Sequence, residues 1–234
     1  MECVNDVTLW NSYVILKIST CLTFISNKYT AMHNEYVGLK LKSTLDFFFS
    51  FVIIMLISPV LLIIAIAIRL EDGGSVFFIQ ERVGLNGRRF YIFKFRTMVA
   101  NAEALKISLL GQNEQTGPVF KITNDPRVTR IGRVLRKTSF DELPQFFNVM
   151  LGDMSVVGPR PPIPSEVEKY EQWQKRRLTM KPGITCTWQV SGRNNISFNE
   201  WVKLDLEYID NWSLTQDMVL IFKTIKAMAA GTGI

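Results

Sequence analysis

Between Phe47 and Ile68 the chain carries no charge, FFFSFVIIMLISPVLLIIAIAI, and nowhere else does its hydrophobic pattern run so long. A bilayer core asks about 20 apolar residues of a helix, more than a soluble core helix usually needs, so this run is expected in the membrane. It starts too far from the N-terminus, and lacks a small-residue cleavage site on its far side, to read as a removable signal peptide. Ser58-Pro59 sits near its middle, where proline removes a backbone hydrogen bond and clashes with the preceding turn. Lys40 and Lys42 precede the run and Arg69 follows it, so charge gives little orientation. A kinked transmembrane helix and a re-entrant helix-break-helix both satisfy these facts.

Upstream, Val7 to Ile25 is apolar in patches but holds Asn11 and Lys17, which suits an amphipathic surface helix without an assignable function. Downstream, the turn Glu71-Asp72-Gly73-Gly74 leads to an apolar run, Val76 to Ile79, and Asn86-Gly87 separates it from the alternating stretch Phe90 to Arg96. This predicts a β-hairpin with Lys94 and Arg96 on one face and Phe93 and Phe95 on the other. Residues 98–113 read as helical and 112–125 as a loop. A helix over Leu143–Leu151 is expected to bury Phe146, Phe147, Val149 and Met150, and Gly152 ends it. Pro159, Pro161, Pro162 and Pro164 make a stiff extended connection to a charged helix over residues 166–180. Trp201, Leu204, Tyr208 and Trp212 recur at helical spacing; composition favours a core stripe, and the membrane segment upstream shifts the reading toward headgroup contact. Ser213 with Gln216 opens a last helix whose apolar face is Met218, Ile221, Phe222 and Ile225.

Lys plus Arg number 27 against 21 for Asp plus Glu, a formal charge of +6, and residues 81–137 hold twelve cations against four acids. A basic face of this kind attracts nucleic acid, anionic lipid or nucleotide, and charge alone does not choose among them. The bilayer-length run argues against nucleic acid. His33 is the only histidine and lies outside the motif-rich part, which disfavours histidine-based acid/base or metal chemistry. Cys3, Cys21 and Cys186 lack metal-ligand spacing and cannot all pair, as in a reduced compartment.

The densest chemistry lies in DPRVTRIGRVLRKTSFDELPQFFNVMLGDMSVVGPRPP, residues 125–162. Arg127, Arg130, Arg133 and Arg136 recur every third residue as a basic stripe, with Lys137 following. Asp141 and Glu142 then stand at a helix-start signal, where partial positive charge favours anions. Two structural readings compete with a catalytic one. Ser139 could cap the helix with Glu142 reaching back to it, or Asp141 could be the cap, with Pro144 at the third helical position. Either accounts for one carboxylate and leaves the other, the arginines and the Gly158-to-Pro161 turn unexplained. Lys181-Pro-Gly-Ile-Thr185 and Ser191-Gly-Arg-Asn194 add turns rich in backbone donors.

These segments share one order with a known family. The apolar run broken at Ser58-Pro59, Tyr91 to Met98, Leu135 to Gln145, Gly152 to Pro161, Lys181 to Thr185 and Ser191 to Asn194 together resemble the bacterial sugar transferases, the monotopic phosphoglycosyl transferases, over about residues 40–230. The resemblance implies an α+β, mostly helical monotopic membrane protein, with a re-entrant helix-break-helix at Ser58-Pro59 and interfacial amphipathic helices around a small β-hairpin. The parts are an N-terminal extension over 1–38, the membrane hairpin over 39–72 and a cytoplasmic catalytic part over 73–234.

It also implies transfer of a hexose 1-phosphate from a UDP-sugar, UDP-glucose or UDP-galactose, to undecaprenyl phosphate in exopolysaccharide assembly, with release of UMP. The place would be the cytoplasmic face of the bacterial inner membrane, with membrane lipid as a partner and homo-oligomerisation left open. Asp141 matches the nucleophile that forms an aspartyl-phosphosugar, Asp141 and Glu142 the ligands of Mg²⁺, and Arg136 and Arg160 phosphate clamps. Lys94 matches a strand lysine near the site, and Arg193 a nucleotide contact. Cys186 and Thr187 stand where many relatives carry smaller residues, which leaves the shape of the sugar pocket open. The competing reading is a non-catalytic single-span anchor carrying a basic binding module.

Overall fold

The computed structural model describes residues 3–114, 117–120, 122, 124–191 and 196–229, with side chains from Tyr36 to Met228. The chain divides into two compact units, residues 1–42 and 43–234. Of the first, the backbone is helical from Cys3; the side chains of Val7–Ile25 and of His33 lie outside the described residues.

Helix α1, Cys3–Asp72, contains the apolar run. The segment Tyr36–Asp72 is long and apolar enough to cross a membrane, with mean hydropathy 3.2 in its most apolar window, of which 11% is buried. Phe48, Leu56, Ile63 and their neighbours face away from the protein. A helix apolar on its uncovered sides is a membrane helix rather than a core one. The protein therefore associates with a membrane.

The backbone is helical through Ser58-Pro59. Proline has no N–H for the carbonyl four residues back, Met55. The Ser58 hydroxyl donates to that carbonyl at 3.0 Å. The serine thus fills the gap its neighbour creates, which matters most where lipid cannot solvate a bare carbonyl.

Strands β1, Phe77–Val83, and β2, Arg89–Phe95, form the expected antiparallel hairpin, in register from Phe77 opposite Phe95 to Val83 opposite Arg89. Its two faces differ in chemistry, as alternation requires. Arg82, Ile92 and Lys94 line a charged cavity, and Phe77, Ile79 and Phe93 an apolar groove. Phe95 packs with Ile64, Ile68 and Leu135, joining the hairpin to the end of α1. Arg96 is an anchor rather than a solvated cation: it is ion-paired with Asp72 and donates to the Ser75 carbonyl at 2.6 Å.

Helix α2, Ala102–Lys106, continues as a 3-10 turn to Gln112. Helix α3 spans Arg130–Thr138, capped by the Thr129 side chain on Gly132 N at 2.9 Å. A Cβ at Gly132 would come within 2.1 Å of the Thr97 carbonyl, so glycine is what lets α3 close on the segment after β2. Helix α4, Gln145–Met150, is shorter than expected. It buries Asn148 and Val149, while Phe147 is exposed in the apolar groove. Asn148 explains the departure, because its amide behaves as a strand neighbour to β2. Its Oδ1 accepts from Phe93 N at 2.9 Å and its Nδ2 donates to Tyr91 O at 2.7 Å. Asn148→Ala leaves two backbone groups unpartnered, each costing about 1–3 kcal/mol. We expect a loss of about 2–4 kcal/mol in urea unfolding; a loss below about 1 kcal/mol would show that water reaches both groups.

Strand β3, Ser155–Val157, pairs in parallel with β4, Gly183–Thr185. Between them lie α5, Pro164–Val167, and a 3-10 turn, Gln174–Thr179, where a single charged helix was expected. Burial of Tyr170, Gln174 and Arg177 overrides helix propensity there. The proline-rich segment runs beside β1, offering the Pro161 and Pro162 carbonyls to Arg82 and Val83 N at 2.9 Å each. Proline suits such an edge because it must only accept.

Helix α6, Thr187–Val190, and α7, Phe198–Asp210, precede α8, Leu214–Ala229. Trp201 and Tyr208 of α7 are core residues, so headgroup contact by that stripe is overturned. Trp201 packs with Tyr170, Phe198 and Val202, and the Tyr208 hydroxyl donates to Asp217 at 2.6 Å. The exposed apolar face belongs instead to α8, through Met218, Val219, Phe222 and Ile225.

Candidate active site

The hairpin, the end of α3, the turn after it and the Gly158-to-Pro161 turn meet around a cavity of about 310 Å³, and it gathers most of the residues singled out from the sequence. Lys94, Arg136, Asp141, Glu142 and Arg160 all line it. Arg193 lies outside the described residues.

Ser139 shapes the carboxylate pair. It ends α3 in the left-handed region, φ 59°, and a 3-10 turn, Phe140–Glu142, follows. Its side chain caps nothing there, and α4 starts only at Gln145 with Pro144 as its cap residue. Both capping readings of the dyad therefore fail. Glu142 is held by Lys94, Nζ to Oε1 at 2.6 Å, across from the hairpin.

Asp141 differs from its neighbour. It accepts a hydrogen bond from its own backbone N–H and makes no ion pair among the described residues. Desolvation in the cavity raises its pKa from 3.8 to about 6; Lys94 opposes the rise, the like charge of Glu142 adds to it and Arg136 opposes it.

Arg136 is set by the turn after β2, its Nε donating to Thr97 Oγ1 at 3.0 Å. Burial lowers its pKa, countered by Asp141 and Asp125. The three-residue arginine repeat does not stay on one face. At 3.6 residues per turn it drifts about 60° per step, so Arg130 and Arg133 are exposed while Arg136 turns inward. Arg127 precedes the helix and is buried against Asp125, Nη2 to Oδ2 at 2.6 Å.

Arg160 projects from the Gly158-to-Pro161 turn. Its guanidinium bonds Glu166 at 3.2 Å and stands over the Trp201 ring, 5.2 Å from its centroid. The turn approaches β4 through two glycines. A Cβ on Gly183 would meet Gly158 N at 2.1 Å, so the Gly-Pro-Arg-Pro and Lys-Pro-Gly-Ile-Thr segments can touch only as written. Cys186 and Trp188 complete the wall beyond them, and burial holds the Cys186 thiol well above its ordinary range.

A buried cationic cavity in which, among the described residues, one lining carboxylate has no ion pair is a site for phosphate chemistry. The description bacterial sugar transferase matches residues 37–231. This chain belongs to the bacterial sugar transferase family. It is 56% identical over 164 residues to the galactosyl transferase CpsE of Streptococcus agalactiae serotype III (strain NEM316), covering 70% of this chain and 36% of that protein. It is 42% identical over 201 residues to the exopolysaccharide production protein ExoY of Rhizobium meliloti (strain 1021), covering 84% and 89%. Over 197 residues it is 41% identical to the undecaprenyl-phosphate galactose phosphotransferase of Salmonella typhimurium (strain LT2), covering 82% and 41%. This chain spans less than half the length of the streptococcal and Salmonella relatives.

Three contributors to this site escape a reading by motif. Arg82 lines the cavity from β1, Thr97 orients Arg136, and Asn148 fixes the dyad segment against β2. Asn148 had a signal, a polar residue inside FFNVM. Arg82 had only its alternation with Gln80.

Proposed function

We propose that the protein transfers a hexose 1-phosphate from a UDP-sugar to undecaprenyl phosphate, through a phosphosugar carried on Asp141. The observation that carries this reading is Asp141 itself, a carboxylate without an ion pair among the described residues, in a cavity lined by five cations and beside a Glu142 already engaged by Lys94. A carboxylate oxygen of Asp141 attacks the phosphorus bearing the sugar. The bond from that phosphorus to the bridging oxygen breaks, and UMP leaves with the electron pair. An oxygen of the polyprenyl phosphate then attacks the same phosphorus, breaking its bond to Asp141 and restoring the carboxylate. No proton need be removed from an ionised Asp141. The obstacle is charge repulsion, which Arg136 and Arg160 relieve at the phosphoryl oxygens.

Asp141 also fits Mg²⁺, an ion that takes one or two carboxylates and keeps its remaining waters. Among the described residues its carboxylate has no cation at bonding distance, and Glu142 retains Oε2 beyond the Lys94 contact. Mg²⁺ bound there supplies positive charge to the diphosphate. EDTA should stop turnover, read as UMP release, and added Mg²⁺ should restore it; full activity in chelator would mean the cationic side chains suffice.

The membrane placement is proposed from contacts at both ends of the apolar run. Asp46 accepts from the Ser155 hydroxyl at 2.6 Å, and Glu71 accepts from Ile131 N at 3.1 Å. A spanning helix would put Asp46 and Glu71 in opposite water phases, yet both bond one catalytic body. Phe49 meets Phe146 of α4 near the first end, and Ile68 meets Leu135 near the second. These contacts favour a monotopic, re-entrant seat on the cytoplasmic face of the inner membrane, where a soluble nucleotide sugar and a lipid phosphate meet. Pro59→Leu should shift the helix toward crossing, read by cysteine labelling from both sides; unchanged labelling would count against the role of Pro59.

The hexose we favour is galactose, the sugar carried in the names of two relatives above. UMP release from a panel of UDP-sugars, with Mg²⁺ and undecaprenyl phosphate, tests the whole reading. Release with UDP-galactose above the others supports it, and no release with any donor refutes it.

A further inference from the structure

Arg82 presents a buried charge with no ion pair among the described residues. It is 9% exposed, and on the hairpin it shares a face with Lys94. Its terminal nitrogens donate only to neutral oxygens, Nη1 to Pro161 O at 2.9 Å and Nη2 to Gln80 Oε1 at 2.6 Å. Its Nε–H is buried without a partner. A guanidinium has five N–H donors, so those two bonds leave most of its capacity unused.

The other cations around the cavity divide clearly. Lys94 is paired with Glu142, Arg127 with Asp125 and Arg160 with Glu166. Arg82 and Arg136 remain without an ion pair among the described residues, against Asp141 as the remaining acid of the lining. Asp141 acts electrostatically on Arg136, whereas the carboxylates that act on Arg82 are Glu166 and Glu142, both already engaged. Burial, with Arg160 beside it, pushes the Arg82 pKa down to about 9. A buried cation left in this state calls for an anion from outside the protein.

We propose that Arg82 binds a phosphate group of the substrates, completing at the hairpin end of the cavity the anion site that Arg136 forms at the α3 end. The inference rests on the transferase reading. The phosphate belongs either to the nucleotide or to the lipid carrier, and one set of measurements separates them.

Wild-type UMP release comes first, since its absence sinks the transferase reading whatever Arg82 does. With turnover established, Arg82→Gln should raise one KM roughly 10- to 100-fold, the span of a charge-assisted hydrogen bond. Arg82→Lys should recover part of it by restoring the charge. A rise in the UDP-sugar KM, with matching loss of UMP affinity by calorimetry, assigns the nucleotide phosphate. A rise in the polyprenyl phosphate KM with UMP affinity unchanged assigns the carrier. A folded Arg82→Gln protein with both KM values and UMP affinity at wild-type level overturns the proposal, leaving Arg82 as a bridge between Gln80 and Pro161. Should Arg82→Gln fail to fold, the wild-type Arg82 Nε–H resonance decides, assigned by its loss in Arg82→Lys. It should shift on adding UMP or polyprenyl phosphate, and no shift with either overturns the assignment.

Discussion

Asp141→Asn is expected to abolish UMP release, by at least about 10³-fold, while the protein stays folded. An amide oxygen is a poor nucleophile and cannot be restored by attack of the acceptor, so neither half-reaction proceeds. Arg136, Lys94 and Glu142 would keep their partners, because Asp141 bonds none of them in the free protein. The substitution should also stabilise the fold. The folded-state pKa of Asp141 is raised from 3.8 to about 6, so the fold favours the protonated carboxyl. Its favourable contribution is therefore complete below about pH 4 and lost as pH rises through about 6. At neutral pH the ionised group opposes folding by up to about 3 kcal/mol, at about 1.4 kcal/mol per pKa unit. Asn avoids that cost, so Asp141→Asn should melt higher than wild type at pH 7.5 and match it near pH 4. The same pKa sets an acid limb near pH 6 in kcat/KM for the donor, which reports the free enzyme. More Mg²⁺ should move that limb to lower pH. Undiminished turnover in Asp141→Asn would remove Asp141 from the chemistry altogether.

What the sequence disclosed follows the range of the interactions involved. The apolar run was legible by its length and the hairpin by its alternation, and the structure keeps both. Ser58-Pro59 was legible as an anomaly, whereas the hydrogen bond from Ser58 to Met55 is a side-chain answer that hydropathy cannot register. The dyad was legible as chemistry through its neighbours. Its geometry was not, since a 3-10 turn, Phe140–Glu142, stands where both capping readings start a helix, and α4 begins only at Gln145. Trp201 and Tyr208 fit either membrane or core by spacing, and only the packing of Tyr170 and Phe198 on Trp201 chooses. Glu166 to Met180 failed for a related reason: Arg177 is drawn toward Asp205, 28 residues away, and a local pattern holds no trace of that partner.

That pair carries the largest expected effect on stability. Arg177 and Asp205 are ion-paired with side chains 1% exposed on both sides. Arg177 also donates to the Tyr170 hydroxyl at 2.9 Å, and its guanidinium lies 5.8 Å from the centroids of the Tyr170 and Trp201 rings. Asp205→Ala would strand a guanidinium that cannot shed its proton, at a cost of about 3–5 kcal/mol, a large part of the stability of an ordinary domain. Thermal melting should fall by roughly 6–20 °C, at about 2–4 °C per kcal/mol for a chain of this size. Replacing both partners by apolar residues, Arg177→Met with Asp205→Leu, should recover much of that loss, because no charge is then left buried alone. The two variants also separate stability from function. Trp201 receives Arg160 on its ring as well as Arg177, and the Arg160 carbonyl accepts from Arg177 at 3.4 Å. A refolded double variant that still releases UMP poorly would show that the pair seats Arg160 as well as holding the core. Near wild-type melting of Asp205→Ala would instead mean that water or another acceptor reaches Arg177, and the pair would lose its structural standing.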